Sequence, residues 1–241
     1  MPRAVIITEL TAAPAGKGGE SLTSVFDIIG PIMVGPSSSH TAGAARLGMI
    51  ARILLRETPA STQIQLHGSF ARTYKGHGTD KAMIGGLLGF APDDLRIRDS
   101  LQLATAQGLA FSFEPLDLGD VHPNTALISV QGISGKSISL LGSSVGGGKV
   151  LVHRVNGLPA EFTAEDDTLI VYHKDTPGVI AAVTSLLARH GINIGQMKVF
   201  RSHRGGRSVI VLETDEPVGG ELCQQIRVVP NVTGTMALPA I

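Results

Sequence analysis

Residues 168–241 constrain the fold more tightly than any other part of the chain. "TLIVYH" is a short apolar run bounded by turn residues, the pattern of a buried strand. "DTPG" follows, placing Asp175 or Thr176 to cap a helix and Pro177 at its first position. Val179, Val183, Leu186 and Leu187 then share one helical face, and Gly191 ends the helix. "INIGQMKVFR" and "RSVIVLET" read as strands joined at "HRGG", "VGGELCQQI" as a short helix, and "VVPNVTGTMAL" as a last strand. The order β-α-β-β-α-β predicts a ferredoxin-like unit, four antiparallel strands with two helices on one face. The other face or an edge is then expected to pair with a second copy.

The preceding residues read differently. Residues 1–20 are punctuated by Pro14, Gly16, Gly18 and Gly19 and are expected to form a tail. Residues 21–157 are expected to form a mixed α/β unit and 158–167, "LPAEFTAEDD", a linker, so that the fold class is α+β. A helix is expected from about Ser39 to Arg56. "TQIQLHGSFA" alternates as a strand, and Thr79 or Asp80 is placed to cap a helix running through Leu88. "NTALISVQGISGKSISLLGSS" reads as two strands around Ser134-Gly135, and "GGGKVLVHRVNG" supplies a third.

Composition narrows the function. Twenty basic residues balance 20 acidic ones, so there is no field to attract a polyanion. Stacking platforms for bases are scarce, since Trp is absent and Tyr is limited to Tyr74 and Tyr172. No apolar run approaches the roughly 20 residues a bilayer requires. Nucleic-acid and membrane partners are not expected, and a cytoplasmic protein is. The single cysteine, Cys223, excludes an intrachain disulfide and a self-contained four-thiolate site, and no histidine pair has zinc-ligand spacing. No metal site is expected on this chain alone.

"GPSSSHTAG" is the first stretch able to carry chemistry. A capped helix start explains it blandly. Free N–H groups there, with the hydroxyls of Ser37, Ser38, Ser39 and Thr41, would also grip a carboxylate or phosphate. His40 at the same spot can exchange a proton near neutral pH. In "KGHGTDKAMIGG", His77 lies between two glycines that leave its ring accessible, or on an ordinary surface loop. "DVHPNTAL" holds His122 extended ahead of Pro123, with Asn124 beside it, and taken by itself reads as a turn. "GSSVGGGKV" fails as a phosphate loop: Ser143 stands at the first glycine position, Val150 at the final Ser/Thr, and a strand follows rather than a helix.

Taken together, "SVFDIIGPIMVGPSSSHTAGAARLG", "KGHGTDKAMIGGLLGF", "HPNTA" and "SVGGGK" resemble the β subunit of bacterial iron–sulfur-dependent L-serine dehydratase, or L-serine ammonia-lyase. Residues 168–241 resemble the ACT domain, an amino-acid-sensing module. The resemblance implies conversion of L-serine to pyruvate and ammonia, in amino-acid degradation, without pyridoxal phosphate. It implies a [4Fe–4S] cluster with one iron acting as Lewis acid on the serine hydroxyl. With one cysteine here, the cluster ligands must come from a separate cysteine-bearing α subunit.

By the same resemblance, His40 and His77 become candidate catalytic residues. Ser37, Ser38, Ser39, Thr41, His122 and Asn124 become candidate substrate contacts. His173, Asp175, Gly178 and Asn193 fall where serine-binding ACT domains hold their effector, at an interface that implies homodimerisation through the ACT or β domain. The alternative is a non-catalytic amino-acid-sensing subunit.

Overall fold

The computed structural model describes residues 32–241. The tail expected over residues 1–20 lies outside them. The chain forms two α+β units, each a sheet with helices on one face.

The first unit begins with a π-type turn, Ser38–Gly43, which runs into α1, Ala44–Leu55. Strand β1, Pro59–Leu66, leads to α2, Gly68–His77, and α3, Thr79–Leu87. A 3-10 turn over Leu95–Asp99 precedes α4, Ser100–Ala106. Strands β2 (Ala110–Pro115), β3 (Thr125–Gly132), β4 (Ser137–Gly146), β5 (Lys149–Val155) and β6 (Leu158–Phe162) complete it. The sheet order is β2-β1-β3-β4-β5-β6, parallel only between β1 and β2.

Alternation along these strands fixes the two faces. Ile64, Ile128 and Leu140 lie in register across β1, β3 and β4 and are fully buried in the core shared with the helices. Ser61, Gln63, Ser129, Gln131, Ser137 and Ser139 form the opposite, hydroxyl- and amide-rich face. Helices α1 and α3 pack backbone against backbone. A Cβ on Gly48 would strike the Met83 carbonyl oxygen, and one on Gly86 would strike that of Ala45.

In the second unit β7 (Asp167–Lys174), α5 (Val179–Arg189), β8 (Ile194–Arg201), β9 (Arg207–Thr214), α6 (Gly220–Arg227) and β10 (Val232–Leu238) follow the expected order. The antiparallel sheet is ordered β10-β7-β9-β8. Leu169, Val171, Ile210 and Leu212 pack under the helices with Val183, Leu187 and Ile226. Ile170, Val209, Val211 and Leu238 point the other way and join the first unit's core. The face expected to await a second copy is thus covered within the chain, while β8 remains an edge.

Several local expectations are corrected. The strand read over residues 62–71 stops at Leu66. Gly68 takes φ 55° and opens a helix, because the Pro123 backbone packs where a Cβ would stand. The supposed linker carries β6, in which Ala160 and Phe162 are fully buried. Neither Thr79 nor Asp80 caps α3. Its N-cap is the left-handed Gly78, and Asp80 accepts from the Lys81 amide (2.8 Å). Likewise α5 starts after Gly178 at φ 93°, leaving Pro177 outside it. Neither Asp175 nor Thr176 caps it: Asp175 accepts from the Gly205 amide (3.0 Å) and Arg201 (3.4 Å), and the Thr176 hydroxyl donates to the Lys174 carbonyl (3.3 Å).

Candidate active site around His40

Ser37 caps the π-turn, its Oγ accepting from the His40 amide at 3.3 Å. The wide turn swings the His40 ring across the start of α1. Its Nδ1 meets Ser37 Oγ at 3.3 Å and Ser39 Oγ at 3.2 Å, and its Nε2 meets Ser69 Oγ, from the first turn of α2, at 3.2 Å. The ring packs edge-on against Phe70, with centroids 5.3 Å apart. The His77 ring, from the end of α2, lies 4.9 Å away at an inclination of 40°. Burial, then the nearby His77, lowers the pKa of His40, so neutral imidazole is favoured at neutral pH.

The expected hydroxyl set is assembled in part. Ser37 and Ser39 hold the His40 ring, and Ser38 opens the turn. Thr41 is buried, its Oγ1 lying where a Cβ on Gly35 would stand. Asn124 reaches the site through β4: the Ser144 amide donates to its carbonyl at 2.9 Å, and Ser144 Oγ abuts Gly43. His122 does not join. It is exposed, its Nδ1 accepts from the Asn124 amide at 3.1 Å, and its charge bears instead on His153.

Five buried polar atoms here have no hydrogen-bond partner among the described residues: Thr41 Oγ1, His77 Nδ1, Thr79 Oγ1, Asn124 Oδ1 and Ser144 Oγ. Each such group costs about 1–3 kcal/mol. Together that rivals the roughly 5–15 kcal/mol that holds a domain folded. Buried polar groups are ordinarily hydrogen-bonded, so these atoms are positioned to take water, a ligand or a partner's groups.

Beside it lies a cavity of about 300 Å³ lined by Gly35, His77, Lys75, Lys81 and Arg98. Three cations around one cavity suit a carboxylate. Lys81, Arg98, Ser69 and Ser144 were not singled out as site residues in the sequence, and Thr79 was read there only as a helix cap. The recurring charges of "KGHGTDK" were the available sign for Lys81; for Ser69 and Ser144 there was none, because only the tertiary fold brings Ser69 to His40 and Ser144 to Gly43.

The ACT-type residues divide between two places. His173 is buried, its Nδ1 donating to the Lys174 carbonyl at 2.8 Å while Nε2 lacks a partner, beside a cavity of about 540 Å³. Asp175 and Gly178 share that end. Asn193 lies at the other, where Ile194, Thr214 and Asp167 align, and its Nδ2 donates to Asp215 at 2.7 Å. Seven residues of strand separate the ends, about 23 Å.

No group of three or more His, Cys, Asp or Glu able to hold a metal occurs among the described residues. Cys223 is buried in the second unit, and burial pushes its thiol pKa up. No described helix is long and apolar enough to cross a membrane.

Comparison with known proteins shows the family. Residues 24–109 match the model of the serine dehydratase beta chain, and residues 168–231 that of the ACT domain. The chain is 44% identical over 209 residues to the probable L-serine dehydratase, beta chain, of Bacillus subtilis (strain 168), covering 87% of this chain and 94% of that one. It is 40% identical to the L-serine dehydratase, beta chain, of Peptoniphilus asaccharolyticus, covering 87% and 95%. L-serine dehydratase 2 of Escherichia coli (strain K12) is 44% identical over 82 residues, 32% of this chain and 18% of that protein. Two relatives matched over nearly their whole length, with a family model spanning the His40 and His77 segments, place this chain in the serine dehydratase beta chain family.

Proposed function

We propose that this chain is the β subunit of an L-serine ammonia-lyase, deaminating L-serine to pyruvate and ammonia together with a separate α subunit in the cytoplasm. The observation that carries the reading is the group of five buried, unpartnered polar atoms near a half-buried histidine that favours its neutral form. Dehydration of serine requires the carboxylate and ammonium to be held and protons to be moved. The cations of the adjoining cavity, with the hydroxyls of the π-turn, suit the carboxylate. His40, held from three sides by Ser37, Ser39 and Ser69, is the group here best placed to exchange a proton.

The residues of this chain do not fit a [4Fe–4S] cluster, since one buried cysteine in the other unit cannot ligate it. The proposed cluster and its thiolates therefore belong to the α subunit, which also closes the His40 wall, and pyridoxal phosphate has no part in the reaction.

The second unit is the proposed sensor. His173, Asp175 and Gly178 stand at one end of its sheet and Asn193 at the other. Antiparallel pairing of two β8 edges, where Met197 and Val199 are 44% and 42% exposed, would bring the partner's Asn193 to the end of the sheet that carries His173 and Asp175, with β8 and β9 between them. Serine or a related amino acid would bind there in a homodimer.

The test is reconstitution. The chain alone should be colourless and inactive, and addition of an α subunit under anaerobic conditions should give pyruvate from L-serine. His40→Ala should assemble and lose turnover. Full turnover without an α subunit sinks the two-chain reading, and unchanged turnover in His40→Ala favours a non-catalytic sensing subunit.

A further inference from the structure

Ser143 on β4 is wholly buried between two short contacts: its Oγ lies 2.6 Å from Thr125 Oγ1 and 2.7 Å from His153 Nε2. Thr125 Oγ1 lies 2.6 Å from the His122 carbonyl oxygen. Each contact this short needs one proton, and the groups offer few. A carbonyl has none, so Thr125 donates to His122. Having given its only proton, Thr125 accepts from Ser143. Ser143 in turn accepts from His153, whose Nε2 must carry hydrogen. Donation therefore runs one way, from β5 through β4 to the segment ahead of β3.

That segment supports the active-site wall. The Pro123 carbonyl accepts from the amides of Ser69 (2.8 Å) and Phe70 (3.4 Å) at the start of α2. Ser69 then meets His40 Nε2. The residues next to the chain's two hydroxyls face the site as well: Asn124 adjoins Thr125 and Ser144 adjoins Ser143, and both carry unpartnered buried oxygens. We infer that His153 is a positioning residue for the His40 site, fixing the depth of the His122–Thr125 segment, and with it Ser69, Asn124 and Ser144, through the Ser143 and Thr125 hydroxyls.

The chain of donors is not a proton wire, because a carbonyl at its end cannot pass a proton onward. It is also indifferent to the charge of His153. The groups facing that ring are Glu161 from β6, His122 from the loop and Arg154 from its own strand, and burial favours the neutral form. Protonation at Nδ1 leaves the Nε2 hydrogen in place.

The consequence for turnover rests on the lyase reading; the tautomer does not, so the two are tested separately. Nitrogen-15 NMR of the full-length chain at alkaline pH should show neutral His153 with hydrogen on Nε2 and a bare Nδ1. The opposite tautomer overturns the inference whether or not the protein turns over serine. In the assembled enzyme, His153→Leu and Thr125→Val should each lower kcat/KM for serine about ten- to hundredfold, the scale of a misplacement of about 1 Å. His153→Gln, whose amide donates from nearly the same point, should stay within about threefold of wild type. Equal loss in the Gln and Leu variants, or wild-type kcat/KM in His153→Leu with only a lower Tm, overturns it. A wild-type assembly inert toward serine counts against the lyase reading alone.

Discussion

His40 and His77 hold their rings 4.9 Å apart, one at the start of a helix and the other at the end of the next but one element. Two imidazoles this close resist carrying charge together, which reinforces the effect of burial on His40.

This pairing has a pH signature. The pKa of His40 lies below its ordinary 6.5 in the folded chain. As pH falls below 6.5, the unfolded chain takes up a proton that the folded one refuses, so stability falls with it; above 6.5 the group contributes no pH dependence. If neutral His40 is the working form, the acid limb of kcat/KM also lies below 6.5. His77→Asn removes the smaller of the two causes. The limb should move up toward 6.5 without reaching it, because burial remains. A pH–rate profile at fixed ionic strength checks this, and a limb that stays put or moves down breaks the link between the rings.

Close packing of α1 on α3 predicts opposite outcomes for two glycines. Gly86→Ala drives a methyl into the Ala45 carbonyl and should cost about 2–3 kcal/mol. Gly76 lies inside α2 with nothing near its missing Cβ, so Gly76→Ala should leave stability unchanged or raise it by up to about 1 kcal/mol. Urea or thermal melts of the two variants give the comparison directly.

A carboxylate ties the two units together. Glu213 on β9 is nearly buried, and its Oε1 accepts from the Thr163 amide at 3.1 Å and the Thr163 hydroxyl at 3.2 Å. Glu213→Ala should cost about 1–3 kcal/mol and speed amide exchange over residues 158–166. Glu213→Gln keeps an acceptor and should show most of the wild-type protection. Hydrogen-exchange mass spectrometry separates the two; equal protection in both would mean that the contact does not hold the junction.

What the sequence revealed and what it hid divide along the range of the interactions. The second unit was legible because its signals are local: the apolar spacing of Val179, Val183 and Leu187, the stop at Gly191, the turn at "HRGG". The run "TLIVYH" was equally informative, since a strand buried on both faces has no polar alternation. The strand drawn over residues 62–71 failed because what turns the chain at Gly68 is Pro123, 55 positions away. Strand β6 was missed because Pro159 and Glu161 mask the inward alternation of Ala160 and Phe162. At the site, the "PSSSHT" segment and His77 were visible as residues of the right kind in glycine-rich company. Ser143 and Ser144 were not, hidden in a stretch dismissed as a defective phosphate loop; the register of β4 against β3 gives them their place.

The proposed shared effector site makes the last prediction. Within one chain, Asn193 and His173 lie at opposite ends of the sheet, about 23 Å apart by strand length. Neither can complete the other's site alone. A homodimer paired through β8 contains two sites, each with His173 from one copy and Asn193 from its partner. His173→Ala and Asn193→Ala should therefore each abolish saturable serine binding by the isolated chain when pure. When the two variants are mixed and allowed to exchange, each heterodimer holds one doubly damaged site and one intact site. Half of the dimers should be mixed at equal input, so calorimetry should recover about a quarter of the wild-type site number at wild-type affinity. No recovery, in a mixture shown by native mass spectrometry to have exchanged, would rule out a site divided between copies. Binding retained by either pure variant would remove that residue from it.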